Sequence, residues 1–290
     1  MTSLFTCPLC AARLERGGGV YRCPGGHSFD IAREGYVHLL PANQMHSKAP
    51  GDDKDMAAAR SRFLDTGAYV PLREELCKQA LGHTGPAPVL LDAGCGEGYY
   101  TAGVHAALAG AGRAPHMAGV DLSKPSLRKA ARRAPGMECA VASVYHLPVA
   151  DASVDLVLNC FSPLALDEFR RVLRPGGTFL YVTPAADHLW ELKQVLYDRP
   201  YKNREEAVPY AGFRYEEVVP VETRFRAEGA ALMDLFRMTP YAWKTPKEGV
   251  ERLERLPALD ITAAFRVHIF QKEDETLHVR PGYDTLSAKI

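Results

Sequence analysis

Cys7, Cys10, Cys23 and His27 fall within the first thirty residues, with two, twelve and three residues between them. Three thiolates and one imidazole can close a tetrahedron around zinc, leaving no position for water or substrate, so such a site is structural. A redox pair would account for Cys7 and Cys10 but not for Cys23 and His27. The surrounding residues 1–40 are short and turn-rich, with Gly17-Gly18-Gly19 between two predicted strands and a second turn at Pro24-Gly25-Gly26. They carry too few apolar side chains to fold on a core of their own, and a structural metal supplies what is missing. A small metal-held module ahead of a much longer chain points to a macromolecular substrate.

The chain has 290 residues, 47% hydrophobic and 24% charged, enough for one large core plus this appendage. No stretch approaches the roughly 18 apolar residues of a membrane span, and the N-terminus lacks the features of a signal peptide, so a soluble cytoplasmic protein is expected. Of seven cysteines, the four outside the cluster (Cys77, Cys95, Cys139 and Cys160) read as inert core thiols in a reducing compartment. Net charge is zero, from 35 basic and 35 acidic residues, which excludes a binder that attracts nucleic acid through its whole field. Any RNA contact has to rest on local patches.

Ala42 to Asp55, with Pro50-Gly51-Asp52-Asp53, reads as a linker, and amphipathic helices are predicted near Met56–Asp65 and Val70–Leu81. Residues 41–85 thus connect the module to a main domain over 86–290. Within that domain strands at Val89–Leu91, Met117–Leu122, Ala140–Ala142, Asp155–Asn159 and Thr178–Thr183 are separated by loops and by helices near Tyr99–Leu108, Pro125–Ala134 and Leu166–Leu173. Such βα repetition implies an α/β fold with a parallel sheet covered on both faces. A helix after His188 and late segments near Glu216–Thr223 and Ile261–Gln271 complete the sheet as antiparallel strands.

The first of these strands runs into Leu91-Asp92-Ala93-Gly94-Cys95-Gly96-Glu97-Gly98. Its glycines allow a sharp turn and close backbone approach to a ligand. The pattern D-x-G-x-G-x-G differs from the dinucleotide fingerprint G-x-G-x-x-G, and its acid would repel a pyrophosphate but attract a cationic sulfonium. Asp121 ends the next strand, where an acid pairs with ribose hydroxyls. Ser143–Pro148 reads as the loop flanking adenine, and Leu173-Arg174-Pro175-Gly176-Gly177 is a turn ahead of a strand. From Pro88 to Pro184 these features resemble the class I S-adenosylmethionine-dependent methyltransferases, which implies a Rossmann-like sheet with its ligand at the carboxyl ends of the strands.

A longer order of motifs extends the resemblance to nearly the whole chain. After the Cys/His cluster come His27-Ser28-Phe29-Asp30, Ala32 to Leu40, Pro50-Gly51-Asp52, Gly94 to Thr101, Thr183-Pro184 through His188-Leu189, and Met238-Thr239-Pro240-Tyr241-Ala242-Trp243. The chain resembles the bacterial 23S ribosomal RNA guanine-N1 methyltransferases of the RlmA type, which modify the hairpin 35 loop. The resemblance implies S-adenosylmethionine as cofactor and 23S rRNA as partner. It makes Cys7, Cys10, Cys23 and His27 the ligands of a structural Zn2+, places Tyr69, Glu97, Gly98 and His188 beside Asp92, Gly94, Gly96 and Asp121 around the cofactor, and suggests a homodimer with a shared RNA cleft. Phe161-Ser162-Pro163, ending the fourth strand, lies where related nucleic-acid methyltransferases hold the target base, and Phe161 is placed to stack on it. No residue is singled out as the catalytic base.

Arg13, Arg16, Arg22, Arg33, Lys48, Arg60 and Arg62 are expected to form an RNA clamp, while Lys124, Arg128, Lys129, Arg132 and Arg133 read as a solvated helix face. Two family branches modify neighbouring guanines of one hairpin, and one branch is linked to macrolide resistance; Phe161-Ser162-Pro163 and Val182-Thr183-Pro184 lean toward the Gram-positive type. Two other readings stay open: a quinone or phenol methyltransferase with a zinc cap, and an RNA-binding factor without turnover.

Overall fold

A computed structural model describes residues 2–44, 51–205 and 208–273. The first four strands, β1 (Thr2–Thr6), β2 (Arg13–Gly17), β3 (Val20–Arg22) and β4 (Ser28–Asp30), form a small antiparallel sheet in sequential order. Gly18 and Gly19 take positive φ in the turn between β2 and β3, which side-chain-bearing residues rarely adopt. Then follow β5 (Tyr36–His38), α1 (Lys54–Leu64), α2 (Val70–His83), β6 (Val89–Ala93), α3 (Tyr99–Gly110), β7 (His116–Asp121), α4 (Lys124–Arg133), β8 (Glu138–Val141), β9 (Val154–Cys160), α5 (Leu166–Val172), β10 (Leu173–Pro184), α6 (Trp190–Leu196), β11 (Phe213–Glu228), α7 (Gly229–Arg237), α8 (Lys247–Glu254) and β12 (Ala258–Lys272).

The large sheet has the order β11-β12-β10-β9-β6-β7-β8-β5. Its strands from β5 to β10 run parallel, and β12 and β11 add to the β10 edge antiparallel. This is the expected class I methyltransferase architecture, and β6 at its centre leads directly into the glycine turn. The central strands are apolar on both faces because both are covered, one by α2, α3 and α4 and the other by α5 together with the small N-terminal sheet. Strand β11, at the open edge, instead alternates exposed charge with half-buried residues.

Two features depart from the sequence reading. Tyr36–His38, placed there with the N-terminal module, forms the far edge of the large sheet by pairing with β8. Helices α7 and α8 were not anticipated, although the buried Leu232, Leu235 and Phe236 of α7 carry helical spacing. Among the described residues no helix is long and apolar enough to cross a membrane.

The small sheet packs on the large one rather than standing apart. Leu4, Phe5, Leu14 and Tyr21 share one apolar cluster with Val37, Ala118, Ala140 and Val149. At the centre of that contact Glu138 on β8, buried, accepts from Ser3 Oγ at 2.6 Å, Leu4 N–H at 2.9 Å and Tyr21 OH at 3.0 Å, with His116 Nε2 at 2.7 Å. Burial pushes its carboxyl up, but the bonds from His116, Leu4, Ser3 and Tyr21 outweigh that and hold it below the ordinary carboxylate range.

Candidate active site and metal centre

The four N-terminal ligands converge. Cys7 Sγ lies 3.4 Å and Cys23 Sγ 3.3 Å from His27 Nδ1, Cys10 Sγ is 3.6 Å from Cys23 Sγ, and all four ligand atoms are within 4.8 Å of one another. Zinc–sulfur bonds of about 2.3 Å in a tetrahedron require edges of about 3.8 Å, so this donor set fits the ion. Two local turns place the ligands: Ala11 N–H donates to Cys7 O, and Gly26 N–H donates to Cys23 O. Zinc bound by all four residues is structural.

The second site is a cavity of about 860 Å³ at the carboxyl ends of β6, β7 and β9. The glycine turn forms its floor. Gly94 and Gly98 take positive φ, and a Cβ at Gly98 would lie 2.9 Å from Ala130 Cα, while one at Gly94 would collide with the Ser162 side chain. No larger residue fits either position without moving its neighbours. Gly98 also opens α3, whose Thr101 donates its hydroxyl to Asp92 Oδ2. Asp92 Oδ1 is buried without a partner, and burial pushes the carboxyl up to about 7 against the effect of that bond. An acid held this way is a ready partner for a cationic ligand.

Asp121, at the end of β7, accepts from Gly96 N–H at 2.9 Å and Ser123 N–H at 2.7 Å, so it shapes the turn from below; burial raises its carboxyl despite these bonds. Glu97 lines the cavity, and its carboxylate is bound by Arg133, at 2.7 Å from Nη2, which joins α4 to the turn. Arg133 also reaches Asp65 and Ser61, so one member of the predicted solvated basic face has a structural task.

Tyr69 caps α2 and is buried, with its ring against Phe63 and Phe265 at centroid distances of 5.2 and 4.9 Å. His188 sits beside it, 4.8 Å from Phe265, with Nδ1 3.0 Å from Ala264 O. A carbonyl only accepts, so Nδ1 carries the proton and Nε2 keeps its lone pair. Burial pushes this imidazole down to about 3, which leaves it neutral at physiological pH. Phe161, Ser162 and Pro163 also line the cavity. Asn159 holds their turn, its Nδ2 donating to Pro163 O and Ala93 O. The fold therefore brings Tyr69, Asp92, Gly94, Gly96, Glu97, Asp121, His188 and Phe161–Pro163 around one space, with Gly98 immediately behind it.

The sequence reading named Asp52 in a linker motif and Arg60 in an RNA clamp, and placed neither at the cavity. Arg60 Nε donates to Asp52 Oδ2 at 2.8 Å and its Nη2 donates to Met238 O at 3.0 Å, and all three residues line the cavity. Ser123 Oγ donates to Asp52 O, which straps residues 51–53 over the Asp121 turn. Arg60 consequently faces inward and drops out of the expected RNA clamp. Arg62 is likewise engaged, by both oxygens of Asp234. Arg13, Arg22 and Arg33 are exposed, and Lys48 lies outside the described residues. Nothing local in the sequence marks this pairing, because Asp52 precedes α1 and meets Arg60 only through the path of the 51–53 backbone.

A family model described as "RlmA, N-terminal" matches residues 5–48, and a methyltransferase-domain model matches residues 90–177. The 23S rRNA (guanine(748)-N(1))-methyltransferase of Streptomyces fradiae is 37% identical over 87% of this chain and 91% of its own length. A protein of Micromonospora griseorubida, 37% identical over 90% of this chain and 95% of its own length, and one of Bacillus subtilis, 33% identical over 93% of this chain and 98% of its own length, each bear the name putative 23S rRNA (guanine-N1)-methyltransferase.

Proposed function

Because the chain belongs to the family of 23S rRNA (guanine-N1)-methyltransferases, we propose that it transfers a methyl group from S-adenosylmethionine to N1 of a guanine in the hairpin 35 loop of 23S rRNA. The observation that carries this reading is the cavity, where a glycine cradle with two acids meets an open mouth bearing exposed aromatic rings. A loop base splayed from its stack can enter such a mouth.

S-adenosylmethionine, when bound, supplies an electrophilic methyl group on a sulfonium and is left as a neutral thioether once the methyl has gone to N1. The chain's own residues act by placement. Asp92 would offer negative charge to the donor's cationic end, Asp121 would accept from its ribose hydroxyls, and the Gly94–Gly98 turn would let the backbone approach it closely. Tyr69 and the neutral His188 wall off water, and His188 Nε2 is an acceptor for an ammonium or N–H group. As the new N–C bond forms and the donor's C–S bond breaks, the guanine N1 proton passes to solvent at the open mouth of the cavity, and alignment within about 3 Å is the main contribution asked of the protein. Phe161, Ser162 and Pro163 form the side of the cavity assigned to the base.

In this reading residues 1–40 recognise RNA, residues 41–85 connect, and residues 86–290 carry the transfer. The protein works in the cytoplasm as a homodimer with a shared RNA cleft. The test is transfer of labelled methyl to 23S rRNA from a strain lacking the enzyme, with the product mapped by mass spectrometry of the hairpin 35 fragment. A single N1-methylguanosine in that loop is the expected result. Labelling of a quinone or phenol pool and not of RNA, or donor binding without turnover, overturns it.

A further inference from the structure

Three of the exposed large apolar side chains among the described residues, Tyr145, Phe161 and Trp243, line the same cavity. Trp243 is 70% exposed, the most open of the three, and ends the 3-10 turn Pro240–Trp243. That turn is tied to its surroundings from several sides. Arg60 bonds Met238 O, and Arg62 grips Asp234 on the preceding α7. Beneath Tyr241 lies the Lys193 ammonium, 5.5 Å from the ring centroid, and Thr245 Oγ1 donates to Tyr241 O at 2.9 Å. A firmly held backbone thus presents an indole with little covering it. Water is a poor neighbour for so large an apolar face, and a flat aromatic ligand is the complementary one.

The origin of the segment says which ligand. The glycine turn and Asp121, which this reading gives to the donor, sit on the turns after β6 and β7, within the repeated βα units. Trp243 comes instead from the α7–α8 insertion between the antiparallel β11 and β12, beyond the 90–177 stretch shared with methyltransferase domains in general. Tyr145 belongs to the 143–148 loop on the adenine side. Phe161, on the turn after β9, takes φ of 57°, a left-handed conformation uncommon for a side-chain-bearing residue, and its ring is still 42% exposed beside Tyr100 and Phe265. Strain that keeps an aromatic ring open to a cavity is a mark of a binding position.

We propose that Trp243 is the stacking platform for the target guanine, holding the splayed base at the cavity. This rests on the RNA-methylating reading above. The chain has two tryptophans, so Trp190→Phe leaves Trp243 as the sole indole reporter. With S-adenosylhomocysteine present, the hairpin RNA should quench that emission, and the same hairpin made abasic at the target position should bind without quenching. Trp243→Ala should lower kcat/KM for RNA about 5- to 150-fold, the span of one lost base–aromatic stack, with donor Kd unchanged within about twofold and Trp243→Phe restoring most of the loss. Equal quenching by the abasic hairpin, which would put another nucleotide on the indole, or wild-type kinetics for Trp243→Ala, overturns the proposal. Failure of the wild-type protein to methylate any RNA would instead overturn the reading beneath it.

Discussion

The small N-terminal sheet and the large sheet reach order by different means. The large sheet buries whole strands, under helices on one face and under α5 and the small sheet on the other, with Leu91, Val120, Val157 and Phe179 fully enclosed, so apolar burial suffices to hold it. The small sheet contributes Leu4, Phe5, Leu14 and Tyr21 to a cluster that only the large sheet completes. Its remaining order comes from four metal ligands and from Glu138, a carboxylate of the other sheet. A module that borrows half its core cannot drift as an independent domain, and its arginines therefore stand in a fixed relation to the methyl-transfer cavity.

Removing the metal should separate the two sheets most severely. Structural zinc contributes on the order of 10 kcal/mol to folding of small zinc modules, far more than the short strands supply. Cys7→Ser, or chelation of the wild-type protein, is expected to unfold residues 2–30, seen as lost zinc in elemental analysis and rapid amide exchange there, with RNA methylation abolished. Donor binding by calorimetry should persist within a few fold. Loss of donor binding as well would mean the two sheets fold as one unit.

Glu138→Ala acts at the joint. It strands the Ser3 and Tyr21 hydroxyls and the Leu4 N–H at a buried surface, takes the partner from the half-exposed His116 ring, and should cost about 3–5 kcal/mol, read as a fall in the denaturant midpoint. Glu138 has a depressed folded pKa, so its contribution is present above the unfolded value and is lost as pH falls through the folded one. Acid should therefore loosen the joint of the wild-type protein and leave that of Glu138→Gln unaffected.

The smallest of the three effects belongs to the cavity alone. Asp92 has a raised folded pKa, so the donor-free protein holds the extra proton between the ordinary value of 3.8 and about 7, and this group's contribution to stability falls as pH rises through that window. A cationic donor favours the ionised form. Affinity should drop up to about tenfold for each pH unit below 7, about 1.4 kcal/mol, and Asp92→Asn should flatten the profile. A flat wild-type profile between pH 5.5 and 8 would count against Asp92 as the donor's counter-charge.

Much of the fold was legible because its signals are local. Strand and helix alternated at βα lengths from Val89 onward, and the chain followed that alternation as far as β10. The α7–α8 insertion was harder, since it interrupts an antiparallel pair and follows no repeat. Residues of the cavity divided the same way. Asp92, the glycines and Asp121 announced themselves by position after a strand, whereas Arg60 looked like any helix-surface arginine until Asp52 and Met238 were found around it. Glu97 was legible as a loop residue but not as the partner of Arg133, because α4 approaches the turn only once the sheet has formed.

The amino-acid sequence by itself determined the zinc ligands, the glycine turn with its acids and the order of βα units, since each depends on residues a few positions apart and on the backbone conformations they permit. Only the tertiary structure decided how the two sheets join and what surrounds the cavity. Ser3 meets Glu138 across 135 positions, and Arg60 meets Met238 across 178. Contacts so distant leave no periodic trace in the chain, because they exist only after the strands between them have been packed.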